Sequence, residues 1–327
     1  MAISMLSRLV KAPAIREEWL SKVLEFIAMP LLGLTIFLVI WSVAASRIDT
    51  SLGKFPGPSA VLMQIQGLAG EYREEQVRKQ GFYERQEKRN AELLLRDPQA
   101  KPSMRPYSGA PTYPEQIFTS LKTVFTGFLL AALIAIPVGI AIGLSGFVYQ
   151  AVNPIIQLFK PVSPLAWLPL VTIVVGSVYV NVNNSVPKSY VTSAFTVMLC
   201  CLWPTAINTA VGVASVNQDL VNVSKVLQLG RMQHVRHIVL PAAVPMIFTG
   251  LRLSLSTAWM VLIAAEMLSQ NPGLGKFVWD EFQNGNNNSL GRIMVAVLTI
   301  GLIGYVLDRG MLLLQQRVSW DKQAVLR

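Results

Sequence analysis

Long apolar runs are the feature that most limits what this chain can fold into. The clearest cover residues 26–45, 118–144, 190–213 and 242–268, and each approaches or exceeds the roughly 20 residues that an α-helix needs to cross a bilayer. With 52% hydrophobic and only 14% charged residues in a chain of 327, the composition excludes an ordinary soluble protein. We expect an all-α polytopic membrane protein with about six transmembrane helices.

A polar stretch at 215–240 lies between two of these runs and predicts a loop with a function. Its apolar residues recur at helical spacing, and they are Leu220, Val223, Val226 and Leu227. This pattern predicts a short amphipathic helix that begins at Ser215 and ends by Gly230, where glycine permits a turn. Leu240 and Pro241 follow, and proline is tolerated in the first turn of the next helix.

The order of these signals resembles the cytoplasmic coupling loop of binding-protein-dependent ABC importer permeases. Gly230, followed ten and eleven residues later by Leu240 and Pro241, stands at the positions of that family's motif. The family usually has Glu-Ala-Ala six residues before the glycine, where this chain has Ser-Lys-Val at 224–226. Further segments resemble the branch that imports nitrate, bicarbonate, cyanate, taurine and alkyl sulfonates: PVSPLAWLP at 161–169, WPTAINTAVGV at 203–213, TGLRLS at 249–254 and AAEML at 264–268.

The resemblance covers roughly residues 115–316 and implies the fold of a type I ABC importer permease. It also implies partners: a second copy of the permease, two cytoplasmic ATPase subunits and an extracytoplasmic solute-binding protein. The residues that it places against the ATPases are Leu220, Val223, Ser224, Leu227, Gly230, Leu240 and Pro241. ATP-driven closure of the ATPases would then move the helices between inward-open and outward-open states.

Nothing in the sequence predicts an ATP site or catalytic chemistry in this chain. No GxxxxGK[ST] phosphate loop occurs, since the similar segment at 273–277 lacks the spacing and the final Ser or Thr. Cys200 and Cys201 are adjacent in an apolar run and read as small core residues, without the spacing of metal ligands. We therefore expect a permease subunit that is not an enzyme and has no cofactor of its own, with ATP and Mg²⁺ bound by the partner ATPases.

Several residues inside the apolar runs are candidates for the wall of a translocation path. They are Pro161, Pro164, Trp167, Thr205, Asn208, Arg252 and Glu266. The prolines prevent one regular helix over 153–180. The interrupted segment either lines a polar path, where unpaired backbone groups are tolerated, or is a bend needed for helix packing. Thr205 and Asn208 either line a polar cavity or bond another helix.

Arg252 and Glu266 are the ionisable pair of the fifth apolar run. An ionised side chain at the bilayer centre costs at least ~2.5 kcal/mol, so such groups are paired, solvated or near an end. Fourteen residues at about 100° each leave the two side chains about 40° apart around the helix axis, so they share a face. They are about 21 Å apart along the axis, so they cannot pair directly. Arg252 either attracts a passing anion or bonds carbonyls and loop groups near the cytoplasmic end.

The remaining segments complete the domain plan. Residues 1–25 predict an interfacial amphipathic helix or a charged flank of the first span, which is retained at 26–45. Residues 46–116 form a polar, extracytoplasmic helical insertion, interrupted at Gly81, that is either a docking surface for a solute-binding protein or a solvated helix. Residues 117–316 are the permease core, and 317–327 are a cytoplasmic tail.

The net charge of +10 predicts orientation rather than a nucleic-acid partner. Basic residues gather in the flanks and loops of one side, which places both termini and the 215–240 loop in the cytoplasm of a bacterial inner membrane. Membrane lipids are then a further partner. The sequence is most similar to nitrate permeases, with bicarbonate, cyanate and taurine or sulfonate as alternative substrates. Functions of another class are an ion-coupled secondary transporter and a membrane scaffold.

Overall fold

The computed structural model describes residues 28–50, 53–97, 99, 101–179, 186–286 and 288–318. The N-terminal segment predicted at 1–25 and all but the first two residues of the predicted tail lie outside these ranges. The first helices are α1 (Met29–Arg47), α2 (Pro58–Arg96), α3 (Tyr113–Leu144), α4 (Gly146–Phe159), α5 (Pro164–Val178) and α6 (Lys188–Ala214). They are followed by α7 (Gln218–Val226), α8 (Arg231–His234), a π-helical turn (Val235–Val239), α9 (Leu240–Ser269), α10 (Leu274–Asn284) and α11 (Ser289–Val318).

Apolar length identifies the membrane spans. In the described chain, α1, α3, α6, the continuous stretch from α8 through α9, and α11 are each long and apolar enough to cross a bilayer. Helices α4 and α5 qualify together but are bent by 100° at the break between them, next to Pro161 and Pro164. Because proline lacks a backbone donor and fixes its own φ, the predicted interruption of the third span is confirmed.

The packing of α3 on α6 shows that the bent pair crosses the membrane. Three glycines of α3 lie against α6 carbonyls that are each 67 positions later in the sequence, as in Gly127 with Ala194, Gly139 with Ala206 and Gly143 with Ala210. A constant offset means that the two helices run parallel. Two parallel spans that follow each other in the sequence require a return crossing between them. Helices α4 and α5 are the segment that supplies this crossing. The described residues therefore cross six times.

Close approach at these glycines is expected to be essential for stability. A Cβ at Gly139 would lie 2.6 Å from the Ala206 carbonyl oxygen and 2.6 Å from Thr209 Cβ. We expect Gly139→Val to lower the free energy of unfolding by about 1–3 kcal/mol, since backbone and helix must shift. Thermal unfolding in detergent measures the effect. The matched control is Gly301→Val in α11, where an added Cβ meets nothing within 4 Å; equal melting temperatures for the two variants would contradict the close packing.

Two buried clusters join the spans. In the first, Val124 of α3, Val197 of α6 and Leu262 of α9 pack together, so α6 lies between α3 and α9. The second fastens the start of α2 to α11 through Val61 and Val295. Helix α1 stands largely apart, and its main link is the Trp41 Nε1 donation to the Pro56 carbonyl at 3.1 Å, beside the two-stranded ribbon of β1 (Asp49–Thr50) and β2 (Gly53–Lys54).

The polar insertion contains one uninterrupted helix of 39 residues. The predicted interruption at Gly81 was wrong, because a returning segment pairs with the second half of α2. Gln86 Oε1 accepts from the Arg105 amide at 2.8 Å and Gln86 Nε2 donates to the Arg105 carbonyl at 2.9 Å. We call residues 80–107 the arm. At its base, Tyr107 donates to the Glu75 carboxylate at 2.6 Å, and this bond raises the pKa of the Tyr107 phenol.

Candidate functional site

The loop between α6 and α9 contains the predicted amphipathic helix, but with other bounds. Asn217 caps α7, because its Oδ1 accepts from the Asp219 amide at 2.9 Å. The helix ends at Val226, and Gln228 then takes the left-handed conformation with φ 48°. The predicted start at Ser215 and the predicted extent to Gly230 were therefore wrong. A left-handed residue after a helix end is a common cap.

Gly230 does not need to be glycine for the turn. Its φ of −62° and ψ of 158° are open to any residue. A Cβ built there would meet only the Gln233 Oε1 atom, at 3.9 Å. The expectation that Gly230 permits the turn was wrong, and the left-handed position is Gln228. Within the part of the chain that the structure describes, nothing at position 230 requires glycine.

The predicted apolar contacts of α7 face away from the rest of the chain. Leu220 is 42% exposed, Val223 48% and Leu227 62%. Val223 and Leu227, with Asp219, Asn222 and Val226, border a shallow groove on the helix surface. Exposed apolar side chains grouped on one short helix mark an interaction surface. Beyond the turn, Leu240 is half-buried and Pro241 is exposed at the start of α9.

Ser224 is the exception in the predicted ATPase-contact set. It is only 4% exposed, and its Oγ lies 2.8 Å from His234 Nδ1 in α8. The sequence pattern identified His234 only as part of the polar loop and gave it no role. This hydrogen bond joins α7 to the helix that continues into the membrane.

The translocation-path candidates around α5 border an apolar cavity. Trp167 and Phe195 are among the side chains that line about 510 Å³ between α5 and α6. The Trp167 ring also packs on Phe159 at 5.6 Å between centroids, and Phe159 stacks on Trp203 at 6.3 Å. Pro161 and Pro164 lie at the bend beside this aromatic group, exposed and half-buried respectively.

The polar candidates of α6 make short hydrogen bonds inside the helix bundle. Thr205 is buried, and its Oγ1 lies 2.7 Å from Ser254 Oγ of α9. Ser254 also donates to the Cys201 carbonyl. Asn208 Nδ2 donates to the Pro204 carbonyl of its own helix at 2.8 Å. In this arrangement Thr205 joins two helices.

Arg252 forms an ion pair that the sequence pattern did not predict. Its Nε and Nη2 donate to the two carboxylate oxygens of Asp308 in α11, at 2.6 and 2.8 Å. This fork geometry is the strongest that an arginine can form with a carboxylate. The positive charge is thereby compensated by Asp308, a partner that neither alternative, a passing anion or carbonyls and loop groups, had named.

Breaking this pair is expected to be costly, and removing both partners should cost less than the two single removals together. We expect Arg252→Ala to lower the free energy of unfolding by about 1–3 kcal/mol, because Asp308 is left half-buried without a donor. Asp308→Ala should have a similar effect, and the double alanine variant should be less destabilised than the sum of the two. Thermal unfolding of the three variants in detergent measures the coupling. Additive effects would show that the ion pair contributes nothing.

Glu266 is fully buried where three helices meet. Its two carboxylate oxygens lie 2.9 and 2.7 Å from Ser120 Oγ of α3, which donates to them. The Gly275 amide donates to the same carboxylate at 3.0 Å, and the Leu274 amide donates to Ser120 Oγ at 2.8 Å. The carboxylate thus connects α9 to α3 and to the first turn of α10. Ser120 was missed, since a serine in an apolar run carries no pattern of its own.

The seven path candidates do not meet in one cavity of the described chain. Trp167 lies in the groove of α5 and α6, Thr205 bonds α9, Arg252 bonds α11, and Glu266 bonds α3 and α10. Their role in translocation remains a prediction. Of the seven candidates for ATPase contact, the five from Leu220 to Gly230 belong to α7 and the turn that follows it, whereas Leu240 and Pro241 begin α9. Their contact with ATPases also remains a prediction.

Comparison with known proteins gives similarity over the permease-like part of the chain. Residues 127–320 match the family model of the binding-protein-dependent transport system inner membrane component. The nitrate import permease protein NrtB of Synechocystis sp. is 39% identical over 203 residues, which are 62% of this chain and 69% of that protein. The bicarbonate transport system permease protein CmpB of Synechococcus elongatus is 32% identical over 320 residues, 96% of this chain and 95% of that protein.

A solved structure shares the fold. A chain of the MetNI methionine ABC transporter in an inward-facing conformation superposes with a TM-score of 0.54 at 16% identity, covering 63% of this chain and 95% of that one. At this identity the likeness concerns the fold alone.

Proposed function

Because the chain belongs to the family of binding-protein-dependent transport system inner membrane components, we propose that it is the permease subunit of an ATP-driven importer of nitrate. It is a multi-pass inner-membrane protein with the type I ABC importer permease fold. The observation that carries the substrate is the identity of 38–39% with three nitrate import permeases over about two thirds of their length.

Bicarbonate is the second candidate substrate, and it has an observation of its own. The similarity to the bicarbonate permease of Synechococcus elongatus extends over 96% of this chain, and the unmatched remainder is shorter than the arm. The nitrate permease of Synechocystis sp. is matched over 62% of this chain. Nitrate is favoured by the higher identity, whereas bicarbonate is favoured by the longer match. Cyanate and taurine or sulfonate rest on branch similarity alone.

The ATPases would bind the exposed row of α7. This chain has no ATP site of its own in the proposal; ATP and Mg²⁺ belong to two ATPase subunits on the cytoplasmic side. By the order of the crossings, the 215–240 loop would share one face of the membrane with the start of α1 and the end of α11, and we propose that this face is cytoplasmic because the loop would meet the ATPases there. Closure of the ATPases around ATP would then move α7, and with it the spans that follow.

The opposite face would receive the solute-binding protein. It carries the N-terminus of α3, helix α10 and the arm, and Arg292 there bonds Glu71 of α2 and Glu281 of α10. A second copy of the permease would complete the path. The apolar groove between α5 and α6 would be its contact surface within the membrane. The anion would pass between the two copies, since no single described cavity collects the polar residues of one chain.

Transport by purified components tests the proposal. The permease, its ATPases and its solute-binding protein are reconstituted in liposomes, and uptake of labelled nitrate is measured with and without ATP on the ATPase side. Bicarbonate, cyanate and taurine serve as competitors. We expect ATP-dependent nitrate uptake that requires the binding protein. Uptake of bicarbonate instead would keep the permease function and replace the substrate, while uptake that ignores ATP and follows an ion gradient would refute the ATP-driven mechanism.

A further inference from the structure

Helix α7 is attached to the rest of the chain by very little. Of its nine residues, Ser224 is the one with a buried side chain. Its neighbours Val223 and Val226 are exposed, and the helix packs mainly against the π-helical turn. Within the described residues, a force applied to the exposed side of α7 would therefore reach the membrane spans through the connecting backbone, the packing on the π-helical turn and the contacts of Ser224.

The connecting backbone is a turn rather than a rigid element. After α7 the chain reverses through Gln228, which is left-handed, and reaches Gly230 in an extended conformation. The Leu229 amide donates to the Ser224 carbonyl at 3.1 Å, so the turn is closed around Ser224. Without a further link, a displacement of α7 would be absorbed by rotation about this turn.

The further link is the side-chain hydrogen bond from Ser224 Oγ to His234 Nδ1, at 2.8 Å. Either tautomer of the ring maintains it, because the hydroxyl can donate to a bare Nδ1 or accept from Nδ1–H. His234 is half-buried, while His237, one turn later, is exposed and contacts only the Gln233 carbonyl among its described hydrogen-bond partners. The two histidines of this loop therefore differ in burial and in hydrogen-bond partner, and of the two it is His234 that is bonded to α7.

His234 lies at the beginning of the longest helical stretch that enters the membrane. From Arg231 through the π-helical turn to Ser269 the chain forms one helical stretch of 39 residues, about 58 Å long. Its base is fixed by Val239 and Ala243, which pack on Val213 at the end of α6. Its far end holds Glu266 and the hydrogen bonds to α3 and α10 described above.

We propose that His234 is a positioning residue that fixes α7, through Ser224, to the helix beginning at Arg231, so that displacement of α7 is passed to the membrane spans. This inference rests on the proposed function, because the ATPases are what would displace α7. The usual Glu-Ala-Ala of the loop is absent here, and Ser224 occupies its first position. The hydroxyl is turned inward to His234 instead of outward to a partner.

Amide hydrogen exchange of the permease alone tests the positioning without any transport. We expect His234→Ala to accelerate exchange of residues 218–229 by about three- to ten-fold, the effect of one lost hydrogen bond. His237→Ala should leave this exchange unchanged. His234→Asn keeps an acceptor near the position of Nδ1 and should restore slow exchange. Equal exchange in wild type and His234→Ala would overturn the inference, whatever the transport result.

The ratio of substrate taken up to ATP hydrolysed tests the functional half in the reconstituted complex. We expect His234→Ala and Ser224→Ala each to reduce this ratio by roughly five-fold while ATPase subunits still bind, and the double variant to be no worse than either single one. His237→Ala should match wild type, and Ser224→Thr should retain most of the ratio. Additive losses, or a wild-type ratio in His234→Ala, would overturn the inference. If the wild-type complex shows no ATP-dependent uptake, the proposed function is refuted. The hydrogen-exchange result would still decide whether His234 holds α7 in position.

Discussion

Replacing Gly230 by aspartate is expected to leave the permease folded and to abolish ATP-driven uptake. The backbone at 230 accepts any residue, and a Cβ there has open space, so the free energy of unfolding should change by less than about 0.5 kcal/mol. The position lies beside the exposed row of Leu220, Val223 and Leu227. An unpaired carboxylate pressed into a protein partner at this row should weaken ATPase binding at least about ten-fold.

The measurement is co-purification of the ATPases with the permease variant, together with nitrate uptake. The matched control is Gly146→Asp. Gly146 begins α4 on the same face of the membrane, also has open space for a side chain, and there a carboxylate benefits from the helix N-terminus. Normal melting with lost ATPase binding for Gly230→Asp alone is the expected result. Full ATPase binding in that variant would remove the loop from the proposed partner surface.

Removing the carboxylate of Glu266 is expected to produce the largest loss of stability. In Glu266→Ala, Ser120 Oγ and the Gly275 amide lose a shared acceptor in a site without access to water. Each buried donor left unpaired costs about 1–3 kcal/mol, so a total loss of about 3 kcal/mol or more is expected, with the attachment of α10 to α9 and α3 weakened. Glu266→Gln retains one acceptor oxygen and should lose about half as much.

Thermal unfolding in detergent and protease accessibility of residues 270–285 measure this effect. Glu74→Ala is the control, since Glu74 is well exposed on α2 and its removal should change stability by less than about 0.5 kcal/mol. A stable Glu266→Ala variant with a protected α10 would show that the carboxylate is dispensable for the fold. In that case a role beside the translocation path would explain better than a role in the fold why Glu266 is a buried carboxylic acid.

The spans and the loop could be predicted because their signals are local. Apolar runs of about 20 residues indicate spans wherever they occur, and the family resemblance followed from Gly230 and Leu240-Pro241 with the segments around them. Both predictions are confirmed, the fold by the six crossings and the family by the match over 127–320. The ends of α7 were harder, because Ser215 and Asn217 are both good caps and only the folded loop selects Asn217.

The partners inside the membrane could not be predicted, because each depends on how distant helices pack. Arg252 meets a residue 56 positions later, and Glu266 meets Ser120, 146 positions earlier. Helical spacing within one run contains no information about either. The same reason explains Gly81: the helix continues through it because Gln86 and its neighbours bind a segment that lies beyond the helix end.

The parallel course of α3 and α6 has a consequence for how the chain is made. Each glycine of α3 packs against a residue of α6 that is synthesised 67 residues later. Synthesis of those 67 residues takes roughly 3 to 13 seconds at ordinary ribosomal speed. During that interval the glycine stripe faces lipid or the insertion machinery. The tight three-helix centre can then close only after the bent crossing has been threaded back through the membrane. The contact between α3 and α6 can therefore form only after α6 has been synthesised. A ribosome that stalls between α3 and α6 would leave an incomplete chain whose glycine surface is exposed and prone to aggregation.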